Sequence, residues 1–194
     1  MPKITNRYKL PFGRRYSKKT DYRARLKSAR SGKIRAVVRK GLENIKIQFV
    51  KFEPAGDKTL AEADSASLKK FGWAAGSGNL PAAYLTGLLA GARARAAKVE
   101  TAILDIGLQP STKGSRLYAA AKGILDSGIK MKVSENVLPA AERISGAHIA
   151  KWAGEAKNKN FFSAYKIQAK DLPKHFEEVK QNILRSNNNG RINP

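Results

Sequence analysis

Alternating apolar and polar residues near the start of the chain predict a small antiparallel sheet. Two such runs, residues 34–40 and 45–52, flank the four residues 41–44, a length that suits a hairpin loop. A third short strand is predicted at 58–63, after a turn at 53–57 that contains proline and glycine. In the first two strands one set of side chains is apolar and the opposite set is largely basic. We therefore expect a meander with an apolar face toward the core and a basic face outward.

Helical and strand patterns alternate after residue 78. A long helix is predicted at 81–98, and its glycines Gly87 and Gly91 would let it pack close to the sheet. A short apolar strand at 102–106, a helix at 115–127 and a weak strand at 129–133 follow. This order predicts a strand–helix–strand crossover joined to the meander. The expected fold class is α/β, with one mixed sheet covered by helices.

The two ends of the chain differ in character from this core. Proline and glycine interrupt residues 1–30, which predicts an extended basic arm with a short helix at 21–30, capped by Thr20 or Asp21. Helices are predicted at 138–157 and at 171–184, the second with an apolar side that docks on the core. Residues 185–194 contain three consecutive asparagines and predict a flexible tail. The expected organisation is an arm at 1–30, a single domain at 31–184 and this tail.

Positive charge is concentrated at the start of the chain. Fifteen of the 38 lysines and arginines lie in the first 40 residues beside one acid, Asp21, so this stretch carries +14 of the formal net charge of +23. Four aromatic residues lie among these cations. Cations can hold phosphates while aromatic rings stack on unpaired bases. A merely solvated charged tail is the alternative, but so many uncompensated charges repel one another and favour binding to a polyanion.

Composition excludes several other classes of protein. The longest apolar run, residues 80–92, is shorter than the roughly 20 residues that a membrane-spanning helix needs, and no signal-peptide pattern opens the chain, so a cytoplasmic protein is expected. The chain has no cysteine, which excludes disulfides and cysteine-ligated zinc. Its two histidines, His148 and His175, lie in different segments without metal-binding spacing. No cofactor or metal is expected.

Two features of the sequence are candidate sites of chemistry. The polar loop at 109–116 lies before a predicted helix and could bind phosphate or serve as an ordinary loop. A metal-dependent nuclease would need carboxylates such as Asp64, Asp105, Asp126 and Glu142 to converge, and nothing in the sequence brings them together. Asp105 is unusual because it interrupts an apolar strand, where it could equally accept a hydrogen bond from a neighbouring loop.

Taken together, a series of short motifs resembles one family, the universal large-subunit ribosomal protein eighteen in its archaeal form, which corresponds to large-subunit protein five of eukaryotes. The motifs appear in order across residues 7–184. They are RYKLPF at 7–12, RR at 14–15, TDYRARL at 20–26, SGK at 31–33, GNLPAAYLTGLLAG at 78–91, LDIGL at 104–108, GSR at 114–116, RISGAHIA at 143–150 and DLPKHF at 171–176.

This resemblance implies a non-catalytic structural protein that binds 5S rRNA in the central protuberance of the large subunit. Its implied partners are 5S rRNA, 23S rRNA and neighbouring ribosomal proteins, with no membrane and no small-molecule substrate. RNA contact is expected from the arm and the basic sheet face, with a second patch at the 109–116 loop and with stacking by the two tyrosines. The residues are Arg7, Lys9, Arg14, Arg15, Tyr16, Lys18, Lys19, Tyr22, Arg23, Arg25, Lys33, Arg35, Arg39, Lys40, Lys46, Lys113, Ser115 and Arg116. A metal-dependent nucleic-acid enzyme and a general DNA-compacting protein are the alternatives.

Overall fold

A four-stranded mixed sheet forms the centre of the protein. The computed structural model describes residues 10–155, 162 and 165–188. Strands β1 (Arg35–Lys40), β2 (Ile45–Lys51) and β3 (Lys58–Asp64) form the predicted antiparallel meander. Strand β4 (Ile103–Asp105) pairs in parallel with β1, so that the strand order is β3-β2-β1-β4. The mixed sheet is confirmed, and β1 lies between an antiparallel and a parallel neighbour.

The apolar sides of the strands build the inner face of the sheet. Alternate residues of β1 and β2 are fully buried, as their pattern predicts: Ala36, Val38, Ile45, Ile47 and Phe49. The loop between them closes with a hydrogen bond of 2.7 Å from the Gly41 N–H to the Asn44 carbonyl, which confirms the hairpin. A shift in register between Phe49 and Val50 makes the pairing of β2 with β3 irregular at that point.

Helix α3 (Leu80–Ala96) is buried along most of its length because the sheet covers one side and helix α4 (Arg116–Asp126) covers another. Asn79 caps α3 by accepting a hydrogen bond of 2.8 Å from the Ala82 N–H. A Cβ atom at Gly87 would overlap the backbone carbonyl of Ala120 in α4. The glycines therefore bring α3 close to α4, and the expectation that they serve contact with the sheet is wrong.

The crossover is shorter than predicted. The strand expected at 129–133 is reduced to an isolated parallel bridge between Thr101 and Lys130. Two hydrogen bonds hold it, from Ala102 N to Lys130 O at 3.1 Å and from Lys130 N to Glu100 O at 2.9 Å. The segment beyond Lys130 leaves the sheet, so β4 has no further strand beside it in the described part of the chain.

The predicted helix at 138–157 is interrupted. Helices α5 (Ala141–Ser145) and α6 (Ala147–Glu155) meet at Gly146, whose φ of +83° ends α5 in the left-handed region. A Cβ atom there would lie 2.8 Å from the Leu172 side chain, so close packing also requires glycine. Residues 156 and 157 of the prediction lie outside the described residues.

Helix α7 (Leu172–Asn188) docks on the core with the predicted side. Its apolar residues Leu172, Phe176, Val179 and Ile183 are all buried. The helix extends four residues beyond its predicted end, into the segment predicted as a tail. Residues 189–194 lie outside the described residues. The division into arm, domain and tail stays a prediction.

Two short helices occupy the described part of the arm. Helix α1 (Gly13–Tyr16) is a single turn in a segment predicted as extended, so the arm is not extended throughout. Helix α2 (Tyr22–Arg30) confirms the predicted helix, and its cap is Asp21, which accepts hydrogen bonds from the Arg23 and Ala24 N–H groups at 2.9 and 3.1 Å. No residue of either helix is buried. Residues 1–9 lie outside the described residues, and with them the predicted contacts Arg7 and Lys9.

Candidate nucleic-acid interface

A groove of about 1070 Å³ lies between the arm and the outer face of the sheet. Its walls come from the arm, the outer side of the four strands and the loop that follows β4. Seven cations and three carboxylates line it, a net charge of +4. The cations are Arg14, Lys18, Lys19, Arg25, Lys27, Arg35 and Arg39, and the carboxylates are Asp21, Asp57 and Asp105. A concave surface with this excess of positive charge attracts anions.

Ion pairs form the floor of the groove. The Arg35 guanidinium lies 2.7 Å from Asp57 Oδ2 through Nη2 and 3.2 Å from Asp105 Oδ2 through Nη1. Strand alternation predicts an exposed Arg35, and this expectation is wrong, because the residue is 4% exposed. The two carboxylates make its burial possible, since a buried cation is tolerated when it is paired and hydrogen-bonded.

Arg39 lies at the outer end of the same strand and is 44% exposed. Its guanidinium pairs with Asp105 Oδ1 at 3.1 Å and donates to the backbone carbonyls of Asp105 and Val38 at 2.8 and 2.9 Å. Asp105 also accepts a hydrogen bond of 2.9 Å from the Gly107 N–H, which confirms the loop contact expected of it. Asp105 is therefore a structural acceptor. In the described ranges no three histidine, aspartate or glutamate side chains converge as metal ligands.

The arm supplies the exposed rim. Arg14, Arg15, Lys18, Lys19, Arg23 and Lys27 are all exposed. None of them forms an ion pair with another described residue, and Arg14 donates only a 2.9 Å hydrogen bond to the Thr20 hydroxyl. The charge predicted from the sequence is thus still uncompensated here. Lys27 completes this rim, although the motif resemblance did not single it out.

The two tyrosines differ in how much of the ring is open. Tyr16 is 77% exposed. Tyr22 packs against Phe12, with ring centroids 5.3 Å apart and planes inclined by 40°. One face of Tyr22 is therefore occupied, and Tyr16 offers the larger free surface for stacking on a base.

Lys33, Lys40 and Lys46 continue the positive charge along the strands. Lys33 is exposed and Lys40 is half-buried. Lys46 lies 3.3 Å from Glu62, which also accepts a hydrogen bond of 2.9 Å from Gln48. These contacts, first the Gln48 bond and then Lys46, lower the pKa of the Glu62 carboxyl below its ordinary value. Lys46 is therefore partly neutralised.

The second predicted patch is only partly available. Lys113 is exposed, whereas the Ser115 hydroxyl is buried. Arg116 donates to the Gly78 carbonyl at 2.6 Å and to the Leu42 carbonyl at 3.3 Å. Its guanidinium thus ties the start of α4 to the start of α3 and to the β1–β2 loop. Lys113 is the member of this patch with an open side chain.

Known proteins resemble this chain over almost its whole length. Residues 6–101 match the family of ribosomal large subunit proteins 60S L5 and 50S L18. The chain is 44% identical over 178 residues to large ribosomal subunit protein uL18 of Haloarcula marismortui, which covers 92% of this chain and 94% of that protein. It is 48% identical over 184 residues to uL18 of Korarchaeum cryptofilum, covering 93% and 94%. It is 47% identical over 188 residues to uL18 of Staphylothermus marinus, covering 92% and 93%.

The chain belongs to the uL18 family. This membership confirms the resemblance that the motifs carry, and the uL18 relatives are named as ribosomal proteins and not as enzymes. The alternative of a nucleic-acid enzyme is therefore dropped. None of the described helices is long and apolar enough to cross a membrane.

Sequence reasoning missed the pairing of Arg35 with two carboxylates in the floor of the uL18 groove, although it noted Asp105 as an unusual residue. Asp57 lies in a predicted turn and Asp105 in a predicted strand, 22 and 70 residues from Arg35. Only the paired strands bring them to the same place. In the parallel register of β1 and β4, Val37 lies opposite Asp105. This register would place Asp105 near Arg35, but the sequence alone does not show that the two strands pair.

Proposed function

We propose that this protein is a structural constituent of the large ribosomal subunit that binds 5S rRNA through the arm and the groove beneath it. The proposal rests on the exposed arm cations that have no ion pair among the described residues, four of which account for the net charge of +4 in the groove. RNA phosphates are the natural partners of such cations. Membership of the uL18 family supports a ribosomal RNA as the source of those phosphates.

In this proposal the arm supplies two kinds of contact, charge on phosphates and stacking on a base. Rim cations such as Lys18, Lys19 and Lys27 neutralise phosphates without regard to sequence. Tyr16, with its open ring, stacks on an unpaired base, a kind of contact that favours loops and bulges of a folded RNA over a regular duplex. The family resemblance further supports a position in the central protuberance beside 23S rRNA and neighbouring ribosomal proteins.

A salt titration of binding to 5S rRNA tests this proposal. If 6 to 10 phosphates are contacted, affinity falls by on the order of a thousand-fold or more between 50 and 200 mM salt. Filter binding over this range gives the slope, and duplex DNA serves as the competitor. A nearly flat slope would contradict RNA binding by the arm cations. Equal competition by duplex DNA would instead favour a general DNA-compacting protein.

A further inference from the structure

Helix α2 is held over the sheet by very few contacts. None of its residues is buried. Among the described residues, one polar contact joins side chains of residues 10–30 to the rest of the molecule, the pair between Arg25 Nη2 and Asp57 Oδ2 at 2.9 Å. This pair therefore ties α2, and the cations that it carries, to the Asp57 carboxylate.

The Asp57 carboxylate is itself held by Arg35 of strand β1. Arg35 Nη2 lies 2.7 Å from the same Oδ2 atom that Arg25 contacts. Arg35 is fixed in turn by Asp105 of the neighbouring strand at 3.2 Å. We call the alternating series Arg25, Asp57, Arg35, Asp105 and Arg39 the arm–sheet network. Arg35 and Asp105 belong to strands β1 and β4, and Arg35 holds the Asp57 carboxylate. The acceptor for Arg25 is therefore in place without the arm.

We infer that Asp57 and Arg35 are positioning residues for RNA binding: they fix α2 over the outer face of the sheet so that the arm cations and Arg39 face a single RNA segment. This inference rests on the proposed function. A pre-positioned set of cations binds more tightly than the same cations on a free arm, because less conformational freedom is lost on binding.

The substitution Asp57→Asn separates this role from simple charge. It removes a negative charge from the groove, so electrostatics alone predicts tighter binding to RNA and a steeper salt dependence. The positioning role predicts the opposite, a loss of affinity for 5S rRNA on the order of tenfold as the arm is released. The two explanations therefore differ in the sign of the measured change.

Glu62→Gln is the matched control. Glu62 is a carboxylate at the outer face of β3, paired with Lys46 at 3.3 Å, and its loss changes the net charge by the same amount. It makes no contact with α2 among the described residues. Its affinity for 5S rRNA should equal or slightly exceed that of the unaltered protein.

A second comparison measures the arm without RNA. Arg25→Gln and Arg30→Gln remove the same charge from the same helix, but only Arg25 contacts Asp57. Hydrogen exchange of the amides in α2 should accelerate several-fold in Arg25→Gln and Asp57→Asn and stay unchanged in Arg30→Gln, because exchange reports local opening. If Asp57→Asn lowers the midpoint of thermal unfolding, the comparison of Arg25→Gln with Arg30→Gln still tests the inference. Arg25 lies at the surface, so its substitution should leave the core folded.

The results separate this inference from the proposed function. Weaker binding by Asp57→Asn, unchanged binding by Glu62→Gln and faster exchange in α2 would support it. Binding by Asp57→Asn as tight as that of the unaltered protein, or unchanged exchange, would overturn it while a steep salt dependence kept the proposed function intact. A flat salt titration of the unaltered protein would overturn both.

Discussion

Single residues in this protein take their roles from partners that are distant in sequence. Strand alternation assigns Arg35 correctly to the basic side of β1, yet the residue is buried. Alternation reports the direction of a side chain and not what covers it. Asp57 and Asp105 reach Arg35 only after the strands have paired. The residue types of the candidate site could thus be predicted from the sequence, whereas the exposure of each cation could not.

Tyr84 illustrates a buried hydroxyl whose ionisation is linked to folding. Its oxygen lies 2.8 Å from Asp126 Oδ2. Burial, and then the bond to Asp126, raises the pKa of the Tyr84 hydroxyl well above its ordinary value. Below about pH 10, the ordinary value for tyrosine, both folded and unfolded forms keep the proton. Above it only the folded form does, so the contribution of Tyr84 to stability is lost as pH rises.

We therefore expect Tyr84→Phe to reduce the fall in stability between about pH 9 and pH 11, where free tyrosine titrates. At pH 7 the variant should lose about 1 kcal/mol, the contribution of one hydrogen bond. Urea unfolding across this pH range measures both effects. Tyr16→Phe, which removes an exposed tyrosine hydroxyl, is the control substitution. Parallel curves for Tyr84→Phe and the unaltered protein would contradict the linkage.

At the scale of elements, the spacing of apolar residues predicts the strands and most of the helices, because this spacing reflects which side of each element is buried. It does not identify partners. The glycines of α3 indicate a close approach, but only the fold shows that α4 is what approaches. The sequence pattern does not predict the break between α5 and α6, because helical periodicity continues across Gly146, which adopts the left-handed conformation and packs against Leu172.

The contact between α3 and α4 provides a test of this packing. Gly87→Ala places a methyl group against the Ala120 backbone, which cannot move aside as a flexible side chain would. We expect a loss of about 2 kcal/mol in the free energy of unfolding, as for other overpacked cores. Gly154→Ala is the matched control, because its nearest atom is 3.9 Å away and alanine favours an exposed helix. Equal stability of both variants in urea would show that the two helices can separate without cost.

For the whole molecule, the arm and the core differ in how they are stabilised. The core buries apolar residues from the sheet, α3, α4 and α7. The described helices of the arm bury none and attach through the Arg25–Asp57 pair. Because burial supplies most of the stability of a folded domain, the arm adds little to it. In the proposed function its charges serve RNA binding instead.

Deletion of residues 1–30 should therefore leave the core folded and remove most of the affinity for RNA. We expect the free energy of unfolding to change by less than about 1 kcal/mol, the worth of a partly exposed ion pair. Affinity for 5S rRNA should fall at least on the order of a hundred-fold, because several phosphate contacts are lost. Calorimetry and filter binding measure the two quantities. A deletion that unfolds the core, or that binds RNA normally, would show that the arm has a different role.

The parallel pairing of β1 with β4 has a consequence for synthesis of the chain. Arg35 leaves the ribosome 70 residues before Asp105, its second partner, and β4 can pair with β1 only after α3 has been made. Until then a cation that will be buried has only one of its two carboxylates. A nascent chain carries the basic arm from the outset, but the surface that holds the arm is finished only after more than half of the protein has been translated. A chain that ends before Asp105 therefore carries the basic arm but lacks the complete set of carboxylates beneath it.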